Sequence, residues 1–200
     1  GVIYEGRAEE INDYNIKYAQ DTDARKLGEI IDGTDVFIGL SAPGVLKSEM
    51  VKGMAPRPII FALANPEPEI RPEIAKNVRD DVIMATGRSD YPNQVNNVLC
   101  FPFLFRGALD VGATIINDEM KMACVHALSK LAEAESDETV VQAYGLQELS
   151  FGPEYLIPKP FDPRLLAEIA PAVARAAMSS GVATRPIENF DVCHQTLHEF

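Results

Sequence analysis

Cysteine is scarce in this sequence, which limits the kinds of site that the chain can build. The 200 residues include three cysteines, Cys100, Cys124 and Cys193. They are too few and too scattered for a disulfide framework or a zinc site. A reducing compartment is the simplest setting for such a chain, so we expect a cytoplasmic protein.

Positive charge is also in deficit, and this argues against two classes of partner. The 30 acidic residues outnumber the 18 basic ones, for a net charge of -12 at pH 7. Nucleic acids and anionic membrane surfaces both attract basic surfaces, so neither is an expected partner. No apolar run approaches the roughly 18 residues that are needed to span a bilayer.

The glycine-rich fingerprint of dinucleotide-binding folds is absent as well. No Gly-x-Gly-x-x-Gly occurs in the chain, although this motif normally follows the first strand of such a fold. The sequence also lacks a signal peptide and an initiating methionine. It opens at Gly1 within an apolar run, 1–4, that is typical of a strand, so we expect a fragment whose phosphate-binding glycines lie upstream.

Short apolar runs alternate with helical segments in the first half of the chain. The clearest run, 59–64, has six apolar residues and is ended by Asn65-Pro66. Further strands are predicted over 35–40 and 82–85, and helices over 22–31, 45–53 and 72–78. This alternation predicts right-handed crossovers and an α/β fold with a parallel sheet. Longer helices are predicted afterwards, over 94–110 with a break near Pro102, from Asn117 to about 134, and over 163–180.

Small and polar residues follow each predicted strand, at the edge where parallel sheets bind their ligands. The three segments are 39–44, 64–66 and 85–88. Small residues at these ends let a flat ligand such as a dinucleotide approach the backbone. Glycine and proline could equally serve only to make turns, although three such ends in series favour a ligand. Asn65 lies at one of these ends, where a ligand would sit.

A second polar segment, Asn93-Gln94-Val95-Asn96-Asn97, opens the next helix. Side-chain amides can donate to a carboxylate or a carboxamide at any pH, and a helix start favours anions. A helix cap supplied by Asn93 or Asn96 alone explains the segment equally well. His194 and His198, four residues apart, are a weaker candidate for a metal site because no clear ligand set completes them.

Three stretches of the chain together resemble the malic enzyme family. They are Phe61-Ala-Leu-Ala-Asn-Pro66, Ala85-Thr-Gly-Arg-Ser-Asp-Tyr-Pro-Asn-Gln-Val-Asn-Asn97 and Phe101-Pro-Phe-Leu-Phe-Arg-Gly-Ala-Leu109. The later run Phe151-Gly-Pro-Glu-Tyr-Leu-Ile-Pro-Lys-Pro-Phe-Asp-Pro163 is similar to the bacterial NADP-dependent group, which carries a phosphotransacetylase-like domain at its C-terminus. The resemblance covers essentially the whole chain.

The resemblance implies a partial NAD(P)-binding domain over residues 1–190. Its fold would be a Rossmann-like parallel sheet with flanking helices, lacking the first strand and helix and followed by C-terminal helices. Residues 191–200 would be a linker or the start of a following domain. A malic N-terminal domain is expected upstream, and a homo-oligomer is expected for the whole protein.

The resemblance also implies a reaction and a set of binding residues. Malic enzymes oxidise and decarboxylate malate to pyruvate and CO₂, and reduce NADP⁺ or NAD⁺ with Mg²⁺ or Mn²⁺. By the matching motifs, Asn65 and Asn96 are expected to bind the substrate. Cofactor binding is expected of Ser41, Ala42, Asn65 and Asn97. The catalytic tyrosine and lysine and most metal ligands are expected upstream, so no catalytic or metal-binding residue is assigned here, and this chain alone is expected to be inactive.

Two other functions stay open at this point. The first is another nicotinamide-dependent dehydrogenase, acting on small hydroxy or amino acids, which a substrate screen would separate from a malic enzyme. The second is a non-catalytic fragment whose amphipathic C-terminal helices bury against a partner. Under the malic enzyme interpretation, NADP is expected more strongly than NAD.

Overall fold

The computed structural model describes residues 1–135, 138–145 and 149–190. The chain divides into two compact units, Gly1–Ala85 and Thr86–Phe200. Residues 191–200, predicted as a linker or the start of a following domain, include His194 and His198 and lie outside the described residues. Among the helices that are described, none has both the length and the apolar character needed to cross a membrane.

A three-stranded parallel sheet forms the centre of the first unit. Its strands lie in sequence order: β1 (Val36–Gly39), β2 (Ile59–Ala62) and β3 (Ile83–Thr86). β1 pairs with β2 in parallel register, from Val36 opposite Ile59 to Gly39 opposite Ala62. The predicted α/β fold with a parallel sheet is confirmed, and the strands predicted over 35–40, 59–64 and 82–85 are each present with four residues.

Two short helices cover the buried side of this sheet. Phe37 of β1 and Ile60 of β2 pack in one apolar cluster with side chains of α1 (Ser48–Gly53) and α2 (Pro72–Val78). α2 begins at its proline, as predicted, because the first helical turn does not use the N–H that proline lacks. α1 begins later than its predicted start at residue 45.

The segment that precedes β1 differs from the prediction. The helix predicted over 22–31 is wrong, since this stretch contains only a 3₁₀ turn at Leu27–Glu29. The Glu29 carboxylate accepts a hydrogen bond from the N–H of Arg25 at 2.6 Å. Such a side-chain bond to a nearby N–H stabilises a local turn at the expense of a helical ladder.

The apolar run at the start of the chain is not a strand of the sheet. Tyr4 makes a single bridge with Gln20. The N–H of Val2 donates to the carbonyl of Arg25 at 3.0 Å, and the Arg25 guanidinium lies 3.5 Å from the centre of the Tyr4 ring. These contacts, including a cation–π pair, attach the first residues to segment 20–25.

Arg79 and Asp81 join the end of α1 to the segments that precede β2 and β3. The Arg79 guanidinium donates to both Asp81 oxygens at 2.7 and 2.8 Å, and to the carbonyls of Val51 at 3.2 Å and Met54 at 2.8 Å. The N–H of Arg57 donates to the same carboxylate at 2.7 Å. Hydrogen bonds from Arg79 and Arg57 hold the pKa of Asp81 well below its usual value.

Replacing Asp81 with asparagine is expected to lower the melting temperature at neutral pH. A carboxyl whose pKa is lowered by folding contributes stability above its unfolded pKa of about 4, and loses it as the pH falls towards its folded pKa. The difference in Tm between the wild type and Asp81→Asn should therefore be largest near pH 7 and shrink below about pH 4. Thermal unfolding followed by circular dichroism measures it.

The matched control for this prediction is Asp13→Asn, which removes one charge from an exposed turn of the same unit. This control should change Tm little at either pH. A Tm difference between wild type and Asp81→Asn that is independent of pH would contradict the role given to the ionised carboxylate.

Helices dominate the second unit. They are α3 (Phe101–Asp110), α4 (Asp118–Glu133), the short α5 (Glu138–Ala143) and α6 (Arg164–Ser179). α6 packs against both α3 and α4, around the fully buried side chains of Met120, Leu165 and Ile169. The helices predicted from Asn117 to about 134 and over 163–180 are confirmed.

The ends of these helices follow the capping signals of the sequence. The Asn117 side chain accepts a hydrogen bond from a first-turn N–H of α4 at 3.1 Å. Gly181 has a left-handed φ of +75° and ends α6. The helix predicted over 94–110 is instead divided into a 3₁₀ turn, Asn97–Leu99, and α3. Pro102 lies in the first turn of α3, where it is tolerated, so the predicted break is a helix start.

α3 and α6 lie very close together at Gly107. A β-carbon at this position would lie 2.9 Å from Cβ of Val173 and would overlap the carbonyl oxygen of Ala170. Two helix backbones this close leave room only for a residue without a side chain. The absence of a side chain at Gly107 therefore allows α3 and α6 to pack at this short distance.

Candidate functional site

A buried carboxylate, Glu69, lies at the ends of β1 and β2. Its Oε1 accepts hydrogen bonds from the N–H of Ser41 at 2.7 Å and the hydroxyl of Ser41 at 3.2 Å, and its Oε2 accepts from the N–H of Ala64 at 3.1 Å. The Glu69 residue is fully buried. One side chain thus joins the loop after β1 to the residues that follow β2.

Backbone hydrogen bonds fasten the same loops. The N–H of Gly44 donates to the carbonyl of Pro68 at 3.3 Å, and the N–H of Leu46 donates to the carbonyl of Glu69 at 3.2 Å. The loop after β1 is therefore held against residues 68 and 69 at two positions, and the Glu69 side chain fixes the end nearest the sheet.

The electrostatics of Glu69 favour its ionised form. Burial by itself raises the pKa of a carboxyl, because it removes the charge from water. Hydrogen bonds from the N–H groups of Ser41 and Ala64, helped by the Ser41 hydroxyl, outweigh burial, so the pKa of Glu69 is lowered. Both oxygens are then acceptors at neutral pH, which matches the three donors that face them.

Asn65 follows directly after this fixed position. It is exposed, and the peptide bond between it and Pro66 is cis. Among the residues that the structure describes, none forms a hydrogen bond with its side-chain amide. Its donor and acceptor groups therefore face solvent, where a carboxamide or a carboxylate could pair with them.

Ser41 and Ala42, the other predicted cofactor-binding residues of this unit, are both exposed. The N–H and hydroxyl of Ser41 point back to Glu69, so this residue orients the loop. The structure thus brings the Ser41 loop and the residue before Asn65 onto one carboxylate. The Asn65 amide lies beside these fixed segments, and no described residue engages it.

Asn93, in the second unit, has a structural role. It is 2% exposed and has a left-handed φ of +55°. Its side-chain nitrogen donates to the carbonyl of Pro153 at 2.7 Å, and its side-chain oxygen accepts from the N–H of Leu156 at 2.7 Å. The alternative that Asn93 caps a helix is therefore wrong, because its amide holds segment 153–156 beside the turn that begins at Thr86.

Asn96 provides the cap. Its Oδ1 accepts a hydrogen bond from the N–H of Val98 at 3.1 Å, at the start of the 3₁₀ turn Asn97–Leu99. This bond uses the oxygen of the amide, and no described residue accepts a hydrogen bond from its nitrogen. Asn97 is exposed. Asn96 can therefore donate to a ligand while it caps the turn.

Comparison with known proteins decides the family. A sequence profile described as "Malic enzyme, NAD binding domain" matches residues 1–144. The chain belongs to the malic enzyme family. The "NADP-dependent malic enzyme" of Salmonella typhimurium is 65% identical over 201 residues, which are 100% of this chain and 26% of that protein.

Other relatives of this malic enzyme domain differ in the cofactor that they are named for. The "NAD-dependent malic enzyme" of Rhizobium meliloti is 56% identical over 200 residues, which are 100% of this chain and 26% of the relative. The "NADP-dependent malic enzyme" of Escherichia coli is 64% identical, with the same coverage. The chain spans about a quarter of the length of these curated relatives.

Solved malic enzyme structures share the fold of this domain. The enzyme of Entamoeba histolytica has a TM-score of 0.76 at 34% identity, over 93% of this chain and 36% of that one. The enzyme of Pyrococcus horikoshii has a TM-score of 0.69 at 41% identity, over 86% of this chain and 37% of that one. The predicted Rossmann-like class and the resemblance to malic enzymes are confirmed.

The described part of this malic enzyme domain was compared with the ligand sets that hold divalent metal ions. Within residues 1–135, 138–145 and 149–190, no three His, Cys, Asp or Glu side chains form a group that could hold a metal ion. No chemical step through a metal is therefore assigned to these residues. Binding of Mg²⁺ or Mn²⁺ mainly by residues outside this chain stays a prediction.

Sequence reasoning missed Glu69, which holds together the loops that carry the candidate residues of the first unit. Its donors lie 5 and 28 positions away along the chain, so no local spacing connects them. The only signal was an acid close after a strand that ends in Asn65-Pro66, and acids near turns are common on protein surfaces.

Proposed function

We propose that this chain is part of the nicotinamide-binding domain of a malic enzyme, which oxidatively decarboxylates malate to pyruvate and CO₂. The observation that carries the proposal is the Asn65 amide. It has no partner among the described residues and directly follows Ala64, whose N–H is fixed by Glu69. The family match over residues 1–144 supports the same assignment.

The proposed roles come from the family resemblance, and the chemistry of each group supports them. The Asn65 amide would bind the carboxylate of malate or the carboxamide of the nicotinamide, and the Asn96 nitrogen would donate to malate. Ser41 and Ala42 would border the cofactor, and Asn97 would contact it. When bound, the nicotinamide supplies the hydride acceptor.

NADP is the proposed cofactor. The Salmonella typhimurium and Escherichia coli relatives, both named as NADP-dependent enzymes, are 65% and 64% identical to this chain, against 56% for the NAD-dependent one. A malic N-terminal domain, most metal ligands and the catalytic tyrosine and lysine are proposed to lie outside this chain. Homo-oligomerisation and a cytoplasmic location stay predictions.

The test is a turnover assay on the full-length enzyme. We expect malate-dependent formation of NADPH and pyruvate in the presence of Mn²⁺, faster with NADP⁺ than with NAD⁺. Lactate and glutamate in place of malate serve as matched substrates and should give no turnover. Turnover with one of them but not with malate would replace the proposal with another dehydrogenase, whereas a stable dimer without cofactor binding would favour an interaction module.

A further inference from the structure

We propose that Glu69 is a positioning residue for the nicotinamide cofactor, an inference that rests on the proposed function. Its buried carboxylate holds the Ser41 loop and the residue before Asn65 in one fixed arrangement. Cofactor affinity should then depend on a side chain that is fully buried.

The carboxylate is matched to this task by its two equivalent oxygens. Oε1 accepts from the Ser41 loop and Oε2 accepts from Ala64, so each oxygen serves one loop. Hydrogen bonds to an ionised acceptor are roughly twice as strong as bonds between neutral groups. No lysine or arginine in the described part of the chain pairs with Glu69. Its charge is therefore stabilised by these donors.

β1 leaves space for this carboxylate. A β-carbon on Gly39 would lie 2.6 Å from Oε1 of Glu69, closer than two unbonded atoms can approach. The φ of Gly39 lies outside the left-handed region, so an alanine there would meet no backbone strain. The three atoms nearest to such a β-carbon all belong to the Glu69 side chain, so position 39 offers a second way to disturb Glu69.

The consequence for binding is preorganisation. A cofactor that touches both the Ser41 loop and Asn65 needs the two segments in place at once. Ordering mobile groups on binding weakens affinity, and a site that is already ordered avoids this loss. If one carboxylate oxygen is lost, one of the two loops is released, and the cofactor must order it.

The test is Glu69→Gln in the full-length enzyme, with NADPH as the probe in a fluorescence titration. Glutamine keeps the shape but offers one oxygen and places an NH₂ group against a donor. We expect the Kd for NADPH and the KM for NADP⁺ to rise about tenfold, as for the loss of one hydrogen bond to a charged group. The kcat should fall less than KM rises.

Two matched variants separate positioning from simple destabilisation. Ile60→Val trims a buried side chain of β2, so it should lower Tm and leave Kd unchanged. Glu49→Gln removes a charge from a carboxylate whose side chain is 79% exposed, and it should change neither value. A purely structural role for Glu69 would make Kd follow Tm across all three variants, which would overturn the inference.

Gly39→Ala supplies a second route to the same result, and it decides the question if Glu69→Gln does not fold. It should raise Kd for NADPH as Glu69→Gln does. Its control, Gly152→Ala, places a β-carbon 3.9 Å from its nearest neighbour and should have no effect. Folded Glu69→Gln or Gly39→Ala enzyme with wild-type Kd would refute the role of Glu69 alone, whereas wild-type enzyme that binds no nicotinamide cofactor would refute the proposed function as well.

Discussion

Replacing Asn65 with alanine in the full-length enzyme is expected to lower kcat/KM for malate by about 10- to 100-fold. A hydrogen bond to a charged ligand contributes about 1.5–3 kcal/mol, and about 1.4 kcal/mol corresponds to a factor of ten. Asn65 is exposed, and its amide has no partner among the described residues. The loss should therefore appear in steady-state kinetics with malate and NADP⁺, while Tm stays unchanged.

The matched control is Asn77→Ala, the same substitution at an exposed position of α2. It should leave kcat/KM unchanged. Asn96→Ala should also lower kcat/KM, but it removes the cap of a 3₁₀ turn as well, so its effect would combine binding with local structure. Wild-type kinetics for Asn65→Ala would remove the main support for the substrate site.

Replacing Gly107 with alanine is expected to lower the free energy of unfolding by about 2 kcal/mol. Two effects oppose each other at this position. Alanine in a helix interior is favoured over glycine by about 1 kcal/mol. Overpacking a core costs about 1–3 kcal/mol, and here the obstacle includes the carbonyl oxygen of Ala170, a backbone atom that cannot rotate away. We therefore place this cost near 3 kcal/mol, so that overpacking outweighs propensity.

The change in stability at Gly107 is measured by urea unfolding. The control is Ser129→Ala, at an exposed position of α4. This substitution also introduces the better helix former alanine, but it creates no close contact with another helix. It should leave stability unchanged or raise it slightly. If Gly107→Ala were as stable as Ser129→Ala, α3 and α6 would have to lie farther apart than described.

Local signals predicted much of the fold. The run 59–64, which ends at Asn65-Pro66, predicts β2, and Pro72 predicts the start of α2. Asn117 predicts the start of α4, and Gly181 predicts the end of α6. Each signal acts within a few residues, so it can be read without knowledge of the tertiary structure. The helix predicted over 22–31 failed because the Glu29 side chain binds an N–H four residues earlier.

Long-range contacts limited what could be predicted about the site. Asn93 and its partners Pro153 and Leu156 are 60 and 63 positions apart, and nothing in either segment indicates the other. The rule that parallel sheets bind ligands at the carboxyl ends of their strands directed attention to Asn65. The roles assigned to Asn65 and Asn96 come from family resemblance, because single side-chain amides have no distinctive local pattern.

The position of α6 has a consequence for synthesis of the chain. α3 and α4 pack on α6, which begins at Arg164, beyond the family profile that ends at residue 144. Ribosomes add about 5–20 residues per second. The apolar face of α3 is therefore synthesised on the order of several seconds before α6, which covers it. Apolar surface that stays exposed during synthesis favours aggregation. A polypeptide that ended at residue 144 would lack α6, so the apolar faces of α3 and α4 would stay exposed.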